Sequence, residues 1–255
     1  MNLEPNLYSN ERIPLESVKS FLSRTLPQLE WNQSSNRYDV VLDAGCGPGG
    51  TTYQLILPLF SNVKKIFAVD LLPAAIDFAK NHNSHPLIEY SVANLEDCFI
   101  LFQVDSQALG RSNNKTNLRL LYQLAERSTK CVSKCIQTLE KGAEAAVCFP
   151  LQTSYYDALL EVQNDPKWSN FLKNIETLIP ESHHKKWNCT PYKEMLQDIG
   201  FEILYCREKV TTDDLDHETP SLRAQRSPPL DFHLLKGQRS FRVVVFVQNR
   251  RSGWG

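Results

Sequence analysis

The chain has 255 residues, 42% of them hydrophobic and 22% charged, with a formal net charge of -1 at pH 7. That length suits one doubly wound domain, and the composition is ordinary for a soluble globular protein. The near-neutral charge gives no basis for a nucleic-acid or anionic-membrane partner, and no apolar run approaches the ~20 residues of a membrane span.

From Pro14 to Leu29 the residues Leu15, Val18, Phe21, Leu22, Leu26 and Leu29 recur at helical spacing and predict an amphipathic first helix. Val40-Val41-Leu42 follows, a continuous apolar run that suits a strand buried on both faces. A glycine-rich turn comes next, then a helix from Thr51-Thr52 through Phe60. Ile66–Val69 reads as a second buried strand ending in Asp70. Pro73 opens a helix to about Asn81, and Leu87–Val92 is a third strand. Strands alternating with helices at this spacing predict a parallel sheet covered on both sides.

Further along, Cys98–Val104 is apolar enough for a fourth strand, and Gly110–Asn117 reads as a polar loop. Leu118–Leu139 is a helix candidate, and Ala145–Phe149 a fifth strand. Tyr155–Val162, Trp168–Leu178 and Pro191–Ile199 read as helices, the last with Gly200 beyond its end. Phe201–Cys206 and Phe241–Val247 are the last strands, with a polar stretch 211–239 between them.

The chemistry concentrates in Asp43-Ala44-Gly45-Cys46-Gly47-Pro48-Gly49. A glycine turn between a buried strand and a helix lets the backbone bend sharply and lets a ligand approach the main chain. Gly45, Gly47 and Gly49 alternate, while Gly45, Gly47 and Gly50 also satisfy G-x-G-x-x-G, so the turn alone leaves S-adenosylmethionine and nicotinamide cofactors both open. Its neighbours favour the former. Asp43, at the strand end, suits a ligand's ammonium group, whereas a pyrophosphate has little use for an acid there. Asp70 is placed to accept hydrogen bonds from both ribose hydroxyls. Asn94, after the third strand, is placed to accept from the adenine amino group. The expected cofactor-binding set is Asp43, Gly45, Cys46, Gly47, Gly49, Asp70, Leu71, Asn94 and Leu95, with Cys46 contributing its backbone.

Other candidates have simpler readings. The seven cysteines are scattered and odd in number, as in a reduced cytoplasmic protein. Cys131 and Cys135 share a helix face but have no second pair or nearby histidine, so no metal site is expected. His183-His184 reads as part of a solvated loop. His82 and His85 flank a helix end and are expected to meet its exposed carbonyls. Trp168 and Phe171 read as core residues.

With those residues in place, the chain resembles the juvenile hormone acid O-methyltransferases of arthropods. The resemblance lies in Leu7-Tyr8-Ser9 and the helix leading to Leu29-Glu30-Trp31. It continues in Val41–Gly49 with Leu57-Pro58-Leu59, then in Lys167-Trp168-Ser169-Asn170-Phe171, Ile179-Pro180 and Glu194–Phe201. Ser240–Gln248 is similar to the family's final strand. The resemblance implies a Rossmann-like class I methyltransferase fold, α/β with helices on both faces. Its sheet would be a mainly parallel seven-stranded one with an antiparallel last strand. The whole chain, 1–255, would be one methyltransferase domain. An N-terminal cap (1–31), a cofactor core (38–150), a helical substrate cap (151–200) and a C-terminal hairpin (201–255) make it up.

The resemblance also implies methyl transfer from S-adenosylmethionine to the carboxylate of a sesquiterpenoid acid, a small hydrophobic carboxylic acid. Phe149, Leu151, Tyr155, Trp168 and Phe171 are candidates for its apolar groove. Two features depart from the family. Its usual F-D-x-V-x-S-F strand followed by L-H-W is not found, with Cys98–Gly110 in that place. Its first-helix glutamine is replaced near Ile13. A cofactor-binding relative with weak or no transfer activity is therefore the second reading. No residue is singled out as catalytic, because a carboxylate acceptor is already ionised at neutral pH.

Overall fold

The computed structural model describes residues 15–28, 38–94, 116–122, 144–198, 200–213 and 238–249. The first helical run, α1, is an α-helix Leu15–Ser20, a π-helical turn Phe21–Thr25 and a last turn Leu26–Gln28. Val18, Phe21, Leu22 and Leu26 are buried, as their spacing predicts. The π-turn has a local cause. Pro27 lacks an N–H and its ring would strike the carbonyl of Ser23, so the Leu26 N–H reaches back five residues to Phe21 O. The second helix, α2, repeats the device. It is π-helical over Thr52–Ile56, Leu57 donates to Thr52 O, and Pro58 lies in its last turn, Leu57–Leu59.

The remaining elements are β1 Tyr38–Ala44, β2 Val63–Asp70, α3 Pro73–His82, β3 Ile88–Val92, β4 Thr116–Tyr122 and β5 Glu144–Thr153. Then come α4 Ser154–Val162, a 3-10 turn Ile175–Leu178, α5 Glu181–His184, α6 Thr190–Asp198, β6 Phe201–Asp213 and β7 Gln238–Asn249. The strands form one seven-stranded sheet in the order β3-β2-β1-β4-β5-β7-β6. β1 to β5 run parallel, and β7 lies antiparallel between β5 and β6. The chain leaves β1 towards β2 and β3, then returns to β4 on the other side of β1. That reversal makes a crevice at the carboxyl ends of β1 and β4, where open α/β sheets bind ligands.

β1 is buried from Asp39 to Ala44. Val41, Ile66, Ala68 and Ala146 of the sheet pack in one core cluster with Phe21, Leu22 and Leu26 of α1, Ile56 of α2 and Ile76 of α3. Pro150 fits in β5 because β4 pairs only as far as Val147, and a bulge follows between Pro150 and Gln152. Among the described residues no helix is long and apolar enough to cross a membrane.

Three expectations are corrected. Thr116–Tyr122, expected as the end of a polar loop and the start of a helix, is a strand between β1 and β5, while Cys98–Val104 lies outside the described residues. Leu118, Leu120 and Leu121 suit helix and strand periods alike, and Leu and Arg are good helix formers. Pairing with two parallel neighbours overrides that preference. Second, Trp168–Leu178 is not one helix but successive turns ending in the short 3-10 segment. Asp165 Oδ1 accepts the Lys167 N–H at 2.8 Å, and Thr177 Oγ1 donates to Asn174 O, so side chains compete with helical bonding. Third, β6 and β7 are longer than expected and take in both ends of the stretch read as a polar linker.

Candidate functional site

β1 delivers Asp43 and the glycine turn to the crevice. Gly45, Gly47 and Gly49 have φ of 84°, 53° and 80°, a region that side chains with a Cβ rarely enter. The N–H groups of Gly45 and Cys46 both donate to Val69 O, at 2.8 and 3.0 Å, tying the turn to the end of β2. Gly49 N–H donates to Cys46 O, and Tyr53 N–H to Gly49 O, which leads the turn into α2.

The glycine frame is decided by packing. A Cβ on Gly49 would stand 2.7 Å from the Tyr90 hydroxyl and 2.9 Å from Ala79 Cβ, whereas one on Gly50 meets nothing within 4 Å. Close approach therefore demands glycine at 49, and positive φ favours it at 45 and 47. In the G-x-G-x-x-G pattern the last glycine is needed for helix–strand packing, and here Gly50 has no such need.

Asp43 is fully buried. Its Oδ2 accepts the Thr52 hydroxyl at 2.6 Å, while Oδ1 is buried without a hydrogen-bond partner. Burial pushes its pKa up from 3.8 to about 7; the Thr52 bond opposes this and the Asp70 charge adds to it. An orphaned carboxylate oxygen of this kind favours a cationic or proton-donating ligand.

Asp70, at the end of β2, is used on both oxygens. Oδ2 accepts the Gly47 N–H and Oδ1 the Leu72 N–H, each at 2.9 Å. Its own carbonyl accepts from Ala93 N–H at 2.8 Å, which brings the start of the β3 loop, with the half-buried Asn94, to the same edge. Leu71 is 54% exposed beside Asp70. Cys46 is buried, its Sγ lies 3.6 Å from Gly47 O, and burial pushes its thiol far above the usual range, so it offers backbone and not a nucleophile. The structure thus brings together Asp43, Gly45, Cys46, Gly47, Gly49, Asp70, Leu71 and Asn94. Leu95 lies outside the described residues.

Three residues at the turn escaped the sequence reading. In the sequence Thr52 marks a helix start; in space its hydroxyl holds Asp43. Asn83 Nδ2 donates to Pro48 O at 2.8 Å, and the Tyr90 hydroxyl lies 3.0 Å from Asn83 O and 3.4 Å from Gly49 O. Nothing local in the sequence flags the last two.

The segment after β5 is also corrected. His183 is 1% exposed rather than solvated, with Nε2 3.2 Å from Asp157 Oδ1 and the ring 5.2 Å from that of Tyr156. Ser182 Oγ donates to Leu151 O, so α5 is pinned on β5. Phe171 is 82% exposed and Leu151 fully buried, so these two do not line one open groove. Trp168 is half-buried; the Phe149 and Tyr155 side chains lie outside what is described. His82 Nδ1 lies 3.0 Å from Phe78 O at the end of α3, as expected for a helix-end histidine. Cys131 and Cys135 lie outside the described residues, among which no group of three His, Cys, Asp or Glu side chains could hold a metal ion.

No protein-family model matches the chain. Over 202 residues it is 20% identical to the juvenile hormone acid O-methyltransferase of Drosophila melanogaster, covering 78% of this chain and 65% of that protein. The chain thus spans less than two thirds of that relative. Its fold is similar to an S-adenosylmethionine-dependent methyltransferase from Anabaena variabilis, with TM-score 0.56, 16% identity, and 96% and 93% of the two chains covered. It is also similar to phosphoethanolamine N-methyltransferase 2 of Haemonchus contortus in complex with S-adenosylmethionine. There the TM-score is 0.51 at 11% identity, covering 90% of this chain and 53% of that one.

Proposed function

From a fold of the class I methyltransferase type, we propose that this chain binds S-adenosylmethionine at Gly45–Gly49 and is a methyltransferase. The observation that carries the proposal is Asp43, a fully buried carboxylate with one oxygen unpartnered, two residues before the turn. A buried anion is costly without a compensating cation, and S-adenosylmethionine brings a sulfonium and an ammonium. A pyrophosphate in the same turn would be repelled, which disfavours the nicotinamide reading.

The donor set fits the rest of the cofactor. Asp70 spends one lone pair of each oxygen on the backbone and keeps others for ribose hydroxyls. Leu71 and Asn94 would flank the adenine. When bound, S-adenosylmethionine supplies an electrophilic methyl group on a positively charged sulfur. The protein's part is to hold donor and acceptor at attack distance and to exclude water.

For the acceptor we infer a carboxylate on an isoprenoid skeleton, supported by the name of the fly relative. Such an acceptor needs no general base, in keeping with a turn whose cysteine is held protonated by burial. Calorimetry with S-adenosylmethionine, beside methyl-transfer assays on isoprenoid acids, alcohols and amines, tests the proposal. Methyl-ester formation supports it. Binding without transfer to any acceptor supports a cofactor-binding relative instead, and tight nicotinamide binding refutes the whole reading.

A further inference from the structure

We propose that Tyr90 and Asn83 act as a positioning clamp on the glycine turn, holding it in the shape that receives the cofactor. This rests on the reading of Gly45–Gly49 as the S-adenosylmethionine turn. The clamp is built from opposite ends of the α3–β3 connection. Asn83 caps α3, its N–H donating to Ala79 O at 2.9 Å, and its side-chain amide donates to Pro48 O at 2.8 Å. Tyr90 stands in β3, its ring buried against Gly49 and its hydroxyl between Asn83 O and Gly49 O. The two side chains and the Asn83 carbonyl therefore form one small network on the turn's carbonyls.

The mechanical consequence follows from peptide geometry. In a planar trans peptide the N–H points away from the C=O. Holding the Pro48 carbonyl towards Asn83 turns the Gly49 N–H to the opposite side, where it donates to Cys46 O and closes the turn, and holding the Gly49 carbonyl towards Tyr90 turns the Gly50 N–H likewise. The clamp also explains the requirement for glycine at 49, since the phenol occupies the space a Cβ would need. Tyr90→Phe keeps the ring and removes only the hydroxyl, so packing and positioning separate.

The test is S-adenosylmethionine calorimetry on the wild type, Tyr90→Phe, Asn83→Ala and the double variant, with amide hydrogen exchange on the same proteins without ligand. Each single variant is expected to bind about tenfold more weakly, one hydrogen bond's worth. The double variant should lose less than the product of the two, because both side chains act on one turn. Exchange should quicken at residues 45–50 and stay unchanged at Val41 and Ala68. Glu89→Gln, next to Tyr90 but paired outward with Lys65 at 3.4 Å, should match the wild type. A folded Tyr90→Phe protein with wild-type affinity and wild-type exchange at the turn overturns the clamp. A wild type that does not bind S-adenosylmethionine overturns the cofactor reading and with it the clamp's role, whatever the exchange shows.

Discussion

The Oδ2 oxygen of Asp70 accepts the backbone N–H of Gly47 at 2.9 Å, across 23 residues of sequence. The acid at the end of β2 therefore shapes the glycine turn before any ligand arrives. It holds the turn with one oxygen and the Leu72 N–H with the other.

Asp70→Ala is accordingly expected to weaken S-adenosylmethionine binding twice over, by removing ribose acceptors and by loosening Gly47. Charge-assisted bonds contribute about 1.5–3 kcal/mol each, so a loss of roughly one to two powers of ten is the least expected. Asp70→Asn, which keeps one acceptor oxygen, should fall between. Unchanged affinity of Asp70→Ala in calorimetry would remove this residue from the site.

Asp43 should make cofactor affinity and ligand-free stability respond to pH in opposite directions. Its folded pKa is raised from 3.8 to about 7, so the folded chain holds an extra proton between those values. The contribution of this group to stability is greatest at the acid end and declines as pH rises to 7. About three pKa units correspond to a cost of about 4 kcal/mol above pH 7. Binding of a cationic ligand favours the ionised form, so affinity should rise up to about pH 7 and then level off. Asp43→Asn should remove both dependences, relative to wild type, in melting curves and calorimetry from pH 5 to 8. A wild-type affinity that is flat over that range would count against Asp43 as the ligand's counter-charge.

Alanine at positions 49 and 50 should give effects of opposite sign. At Gly49, φ is +80° and Tyr90 and Ala79 fill the Cβ position, so Gly49→Ala should cost at least about 1–3 kcal/mol and disturb binding. Gly50 is helical and faces open space, so Gly50→Ala should stabilise by about 0.4–1 kcal/mol. Denaturant midpoints for the two variants check this. Loss of stability at 50 and not at 49 would reverse the assignment of the glycine frame.

His183 should make the segment after β5 sensitive to acid. Burial and the nearby Lys186 lower its pKa, against the pull of Asp157. Below its unfolded value of 6.5 the unfolded chain binds the proton more readily than the folded one, so stability is lost as pH falls. Limited proteolysis between Asp157 and Lys186 should quicken from pH 7.5 to 5.5 in the wild type. His183→Phe should flatten that response; an equal response in both proteins would assign it to other groups.

Much of the sheet was legible in the sequence because β1 and β2 carry short apolar runs, each followed by a strong punctuator. Gly45 follows β1 and Pro73 opens α3, and both act through local backbone geometry. Asp43, Asp70 and Asn94 could be picked out because strand ends on one edge of a parallel sheet necessarily come together. Where local signals were ambiguous the reading failed. Thr116–Tyr122 looks like a loop running into a helix until β1 and β5 are placed on either side of it. His183 looks solvated until Leu151 and Asp157 are brought to it.

The sequence by itself determined the glycine turn, the acids at the strand ends and the succession of the first three strands along the chain, since each is marked by residues a few positions apart. Only the tertiary structure decided which glycine is indispensable, which side chains hold the turn, and that Asp43 keeps one buried oxygen unpartnered. Tyr90 is 41 residues from Gly49 in the chain. Steric exclusion and hydrogen bonding depend on distance in space, and the chain sets that distance only once the sheet has closed β3 against β2 and β2 against β1.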